Sequence, residues 1–106
     1  MKVFDLKEMK SNEDKSGNVI HNTQEFKIRM IELAPDGSIP PCEMAANVIF
    51  FVAEGKAEVT VNGEAVSLSE GQGIVSDPAT ISMKSSTGAR LLGVQIMTAE
   101  RKSANE

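Results

Sequence analysis

The sequence reads as an all-β barrel or sandwich, and three observations carry that reading. Short alternations of apolar and polar residues recur along most of the 106-residue chain. Turn-forming clusters such as Ala34-Pro35-Asp36-Gly37 and Asn62-Gly63 separate them, and no stretch between them has the period of an amphipathic helix. The length suits one hydrophobic core with no separate functional module, so whatever the chain does is expected on or inside that core.

Taken in order, "KVFDL" (Lys2 to Leu6) reads as a first strand and "KSNEDKSGN" (Lys10 to Asn18) as a polar surface loop. In "EFKIRMIEL", Phe26, Ile28 and Met30 alternate with Lys27 and Arg29, which predicts an apolar face toward the core and a charged face toward water. "APDG" supplies a turn, with Pro35 presetting φ and Gly37 free to take positive φ. "NVIFFVAEG" is almost continuously apolar, the pattern of a strand buried on both sides. In "KAEVTVNGEAVSLSEG", Ala57, Val59 and Val61 lead into Asn62-Gly63, the preferred pair for a type I′ hairpin turn, and Val66 and Leu68 return. "GQGIVSDPATISMKSS" holds two short strands broken at Asp77-Pro78, "ARLLGVQIM" closes the set, and "TAERKSANE" is a charged tail expected to fray or form a short helix.

Composition removes several function classes. A net charge of -4 with scattered Lys and Arg argues against a phosphate-binding surface, so no nucleic acid partner is expected. No apolar run reaches the ~20 residues of a membrane span, and Met1 to Asp5 lack the apolar core of a secretory signal, which together predict a soluble cytoplasmic protein with no membrane partner. The single cysteine, Cys42, forms no internal disulfide. With no Trp or Tyr, and only four Phe, a stacking platform for sugars or bases is not expected. Gly55, Gly63, Gly71 and Gly73 follow strand lengths and precede no helix, so they are turns and not a phosphate cradle. The glutamates lie largely in or beside turns, where charge keeps loops and edges in water.

From about Glu25 to Met97 the chain resembles the small single-domain cupins. The resemblance is carried by "IELAPDGSIPPC", by "FVAEGKAEVTVNGEAVSLSEGQ" and by "ARLLGVQIM"; the middle segment is the most specific, since its strands and Glu-Gly and Asn-Gly turns follow in the family's order. It implies a cupin double-stranded β-helix (jelly-roll) barrel over residues 25–98, an N-terminal strand and loop extension over 1–24, and a polar tail over 99–106. Metal-binding members carry His-x-His, then a Glu, then a later His, and by the resemblance these stations fall at Cys42, Met44, Val48 and Ser82. A one-residue shift in the first loop would instead put Glu43 at a ligand station.

That replacement set suits a hard divalent metal poorly: Val48 has no donor atom, Met44 is a soft thioether, Ser82 is a weak neutral ligand, and Cys42 alone is strong. An alternative His21, Cys42 and Glu43 set would need His21, near a strand end, to cross the barrel. No cation beside Cys42 would activate its thiol, and Met44 reads as packing. Arg29 and Lys84 are the cations that could hold an anion in a barrel without metal, and strand parity would set Lys84 beside Ser82.

The expectation is therefore a barrel with no cofactor that binds a small organic ligand in a pocket of Cys42, Met44, Val48, Phe50, Ser82 and Lys84. Two rivals stand beside it: a metal-dependent isomerase, decarboxylase or dioxygenase with a non-standard ligand set, and an interaction module around a packed core. Because cupins commonly pair through sheet edges, the resemblance also implies a homodimer, with the N-terminal extension offering a strand to the partner.

Overall fold

The computed structural model of the protein describes residues 1–10 and 18–97; most of the expected polar loop and the whole 99–106 tail lie outside them. The described chain is all β. Eight strands follow in order among the described residues: β1 (Val19–Asn22), β2 (Phe26–Leu33), β3 (Gly37–Met44), β4 (Asn47–Val61), β5 (Glu64–Ser69), β6 (Gly73–Ser76), β7 (Ala79–Ser85) and β8 (Ala89–Ile96). Every pairing between them is antiparallel. No helix among the described residues is long and apolar enough to cross a membrane.

β4 organises the barrel because it belongs to both sheets. Its first half, Asn47 to Gly55, pairs with β8 and β6, and its second half, Lys56 to Val61, pairs with β5 and β7. One sheet therefore runs β1-β2-β8-β4-β6 and the other β5-β4-β7-β3. The change of sheet occurs at a bulge between Val52 and Glu54 followed by Gly55 at φ 83°. A side chain at Gly55 would put its Cβ 2.2 Å from the Gly88 carbonyl oxygen, so only glycine lets β4 and the β7-β8 turn approach this closely. What reads in the sequence as two strands, "NVIFFVAEG" and "KAEVTV", is one bent strand.

The hairpin turn at Asn62-Gly63 is as expected, with both residues at positive φ (50° and 85°) and Val61 paired to Glu64. In the Ala34–Gly37 turn the positive φ belongs to Asp36 (63°), not to Gly37. Gly37 is required for a different reason: a Cβ there would lie 2.8 Å from the Ala34 carbonyl oxygen, which accepts the Gly37 N–H at 2.7 Å.

The core lies between the two sheets. Val48, Phe50 and Val52 of β4's first half meet Ala57 and Val59 of its second, with Leu33, Leu68, Ile81, Met83, Ala89 and Leu91. Since a closed pair of sheets has one inside, β4 alternates: Val48 is fully buried, whereas Phe51, on the other face, keeps 40% of its surface and its neighbour Val75 77%. The both-faces burial expected of "NVIFFVAEG" is thus corrected to burial of one face.

Two further expectations are reversed. "KVFDL" forms no strand; residues 6–8 make a turn, and the carbonyls of Leu6, Lys7 and Met9 all accept hydrogen bonds from Arg90 Nη1, whose Nη2 pairs with Glu32 at 3.2 Å. Arg90 thereby ties residues 6–9 to the barrel. β2 also presents the opposite face to the one predicted. Ile31 and Leu33 pack in the core, so Arg29 and Lys27, two and four residues before Ile31, share the inner side. Phe26, Ile28 and Met30 share the other side, as expected an apolar and covered one: Met30 is 1% exposed and Phe26 and Ile28 are half-buried, with Met1, Lys2, Phe4 and Ile20 gathered around the last two.

Candidate functional site

The two ends of the barrel differ chemically. At the end where β4 bends, the buried Ser85 joins three segments: its hydroxyl donates to the Lys56 carbonyl at 2.6 Å and accepts the Gly88 N–H at 2.8 Å. At the opposite end β2, β4 and β7 begin and β3, β6 and β8 finish. Residues directly opposite in an antiparallel ladder point to the same face, so register assigns the inner stations at this end. Val48 faces Gln95 and Ser76; Gln95 faces Lys27; Gly93 faces both Phe50 and Arg29; Cys42 faces Ile81 and Met44 faces Ala79.

The inner stations are apolar in the middle and polar at the rim. Val48 and Phe50 are buried in the core cluster and Met44 packs against that cluster, while Lys27, Arg29, Gln95 and Ser76 are half-buried. Ser76 turns its hydroxyl onto the Asp77 carbonyl at 2.8 Å. Two atoms of this rim, Arg29 Nε and Gln95 Oε1, are buried with no hydrogen-bond partner among the described residues. Unpaired buried polar atoms cost roughly 1–3 kcal/mol each, so native proteins rarely leave them without a reason.

Of the six residues expected to form the pocket, Cys42, Met44, Val48 and Phe50 lie on the inner side of their strands, with Cys42 still exposed. Ser82 and Lys84 do not. β7 buries Ile81, Met83 and Ser85, so its even-numbered residues face outward, and Lys84 pairs with Glu58 at 3.3 Å on that outer face. The inward residues of β7 that flank the expected station are Ile81 and Met83, one position to either side, and in a strand one position is a change of face. His21, Cys42 and Glu43 do not converge: His21 lies on β1 with its ring 5.9 Å from Phe26, and Glu43 faces outward opposite Thr80. Among the described residues, no three His, Cys, Asp or Glu side chains gather as metal ligands would. Gln95 is the station that reading the sequence missed; "GVQIM" places one polar residue in an otherwise apolar last strand, which was the available signal.

No protein-family model matches the chain, and no curated protein matches it in sequence. Solved structures do match in fold. A cupin superfamily protein from Desulfitobacterium hafniense superposes with a TM-score of 0.70 at 12% identity, covering 83% of this chain and 83% of its own. The TT1209 protein from Thermus thermophilus gives a TM-score of 0.76 at 18% identity, over 91% and 97% of the two chains. Salicylate 1,2-dioxygenase from Pseudoaminobacter salicylatoxidans gives 0.67 at 18% identity, over 76% of this chain and 22% of the enzyme. The architecture is that of a small cupin-type domain, a jelly-roll β-barrel. At these identities the likeness is one of fold, and function rests on the site.

Proposed function

We propose that this cupin barrel binds a small organic molecule at its open end and does so without a metal ion as intermediary. The observation that carries the reading is the inner face there: an apolar floor of Met44, Val48 and Phe50 bounded by the polar side chains of Lys27, Arg29 and Gln95. Apolar walls with a few placed polar groups are the usual make-up of a small-molecule site, the walls supplying affinity and the polar groups orientation. The donor set supports the metal-free part. Val48 has no donor, Met44 and Met83 offer thioethers, and Cys42 is a single strong ligand, a combination that does not fit the hard divalent ions bound by oxygen and imidazole.

Metal analysis of protein purified without chelator tests the reading. The expected content is far below one transition-metal ion per chain, and EDTA is expected to leave the melting temperature unchanged. A metal bound only by the native state would add RT ln(1 + [L]/Kd) to stability, about 4 kcal/mol at a thousandfold excess over Kd. One ion per chain, lost to EDTA with a clear fall in melting temperature, would contradict the reading.

A further inference from the structure

We infer that the ligand at the open end is a small organic acid carrying its own hydrogen-bond donor, a hydroxy acid or an amino acid, with its carboxylate on Arg29 and its donor on Gln95. The inference rests on the reading of that end as a ligand site and names the class of ligand.

Two lines place Arg29 inside. It stands opposite Gly93 in the β2-β8 ladder, and a Cβ on Gly93 would meet Ile31 Cδ1 at 3.0 Å and Phe50 Cε1 at 3.3 Å, so that side of Gly93 is the core side. Arg29 also precedes Ile31 by two residues on one uninterrupted strand, which sets both on one face. Gln95 is two residues beyond Gly93 and opposite Val48, on the same face. Arg29 and Gln95 are thus diagonal neighbours, their strand positions about 7–8 Å apart, a gap that two long side chains span around one small molecule.

The chemistry left open at the two residues is complementary. Arg29 is a donor-only group whose buried Nε has no acceptor, and it forms no ion pair among the described residues. Gln95 Oε1 is an acceptor without a donor among them. A carboxylate satisfies the first, with the planar fork of a guanidinium favouring it over a neutral oxygen. A hydroxyl or ammonium on the same molecule satisfies the second. Lys27, directly opposite Gln95, adds positive charge to the same rim, while Glu58 has already taken Lys84 on the outside. Met44, Val48 and Phe50 on the same inner face supply the apolar surroundings that would strengthen such a charge-assisted bond.

Calorimetric titration of the full chain with lactate, phenyllactate, phenylalanine and phenylpropionate, each beside its amide, tests this. We expect at least one hydroxy or amino acid to bind at least about tenfold more tightly than its amide, the effect of one charge-assisted hydrogen bond. Arg29→Met removes that preference. Gln95→Leu removes the advantage of phenyllactate over phenylpropionate and keeps the advantage of acid over amide. Both variants hold or raise the melting temperature, because each deletes a polar atom that the unliganded protein leaves unpaired. Acids and amides binding alike in the native protein, with Arg29→Met changing neither, would overturn the acid inference and leave a binding barrel. Binding of none of the compounds would overturn both. A fall in melting temperature of more than about 5 °C in Arg29→Met or Gln95→Leu would make the pair a structural element and also overturn the inference.

Discussion

At the scale of single residues, Val48 is the test of which side of β4 is dry. It is fully buried in the core, opposite Gln95 on one strand and Ser76 on another. Val48→Glu would place a carboxylate among Met44, Phe50 and other apolar groups, a burial costing on the order of several kcal/mol unless a partner is found. The expected outcome is a destabilised protein by chemical denaturation at neutral pH; stability equal to the parent would mean that the introduced carboxylate reaches Arg29 or water. The same scale shows how far single residues were readable. Cys42, Met44 and Val48, counted back from the Glu54-Gly55 turn by the resemblance, lie on the inner side of their strands, and so does Phe50, two residues beyond Val48. Ser82 and Lys84 do not, because counting onward across the Asp77-Pro78 break slips by one residue and a strand converts that slip into the opposite face. Arg29 was visible as a candidate anion holder, but its face was not. Phe26, Ile28 and Met30 are more apolar than the Lys27 and Arg29 stripe, and nothing in local pattern reveals that the apolar side of β2 is buried outside the barrel, beside Ile20 and the N-terminal segment, while the polar stripe shares the inner side with Ile31 and Leu33.

At the scale of elements, the turns were the most readable feature because each has a local chemical cause. Asn62-Gly63 takes the expected positive φ values, and the break at Asp77-Pro78 separates β6 from β7. The continuity of β4 was not readable. Glu54-Gly55 looks like the end of a strand, yet the chain continues because Gly55 takes φ 83° and closes on the Gly88 carbonyl. Gly55 and Gly63 therefore separate two costs that sequence alone merges. Alanine at Gly63 meets nothing within 4 Å and pays only for its backbone conformation, about 1–2 kcal/mol. Alanine at Gly55 adds a Cβ 2.2 Å from a carbonyl oxygen, so both the bend and the β7-β8 turn must shift. Gly55→Ala is expected to lose at least twice the stability lost by Gly63→Ala in urea unfolding. Equal losses would mean that the junction between the sheets is not the tight point described.

At the scale of the molecule, a short barrel is completed by its own N-terminal segment. Arg90 joins the outer face to that segment through three carbonyls and joins β8 to β2 through Glu32. With the Arg90 side chain largely buried, this contact exceeds a surface ion pair, and hydrogen bonds to charged groups contribute about 1.5–3 kcal/mol. Arg90→Met is expected to raise amide exchange at residues 6–9 by about 5–30-fold, the effect of one to two kcal/mol, while the strands of the core exchange as before. Unchanged exchange at residues 6–9 would show that other contacts hold the segment. The barrel so completed has one end tied by the Ser85 hydroxyl to Lys56 and Gly88 and one end where Lys27, Arg29 and Gln95 share the inner face with apolar core residues. That asymmetry, with the unpaired Arg29 Nε and Gln95 Oε1, is the ground on which the ligand site is proposed at the second end. It is tested most directly by an NMR titration of labelled full-length protein with small organic acids, with and without EDTA. Shift changes are expected to concentrate at Arg29, Val48, Gly93 and Gln95 and to be the same in both conditions. Changes confined to another surface, or present only after a metal is added, would contradict a metal-free site at the open end.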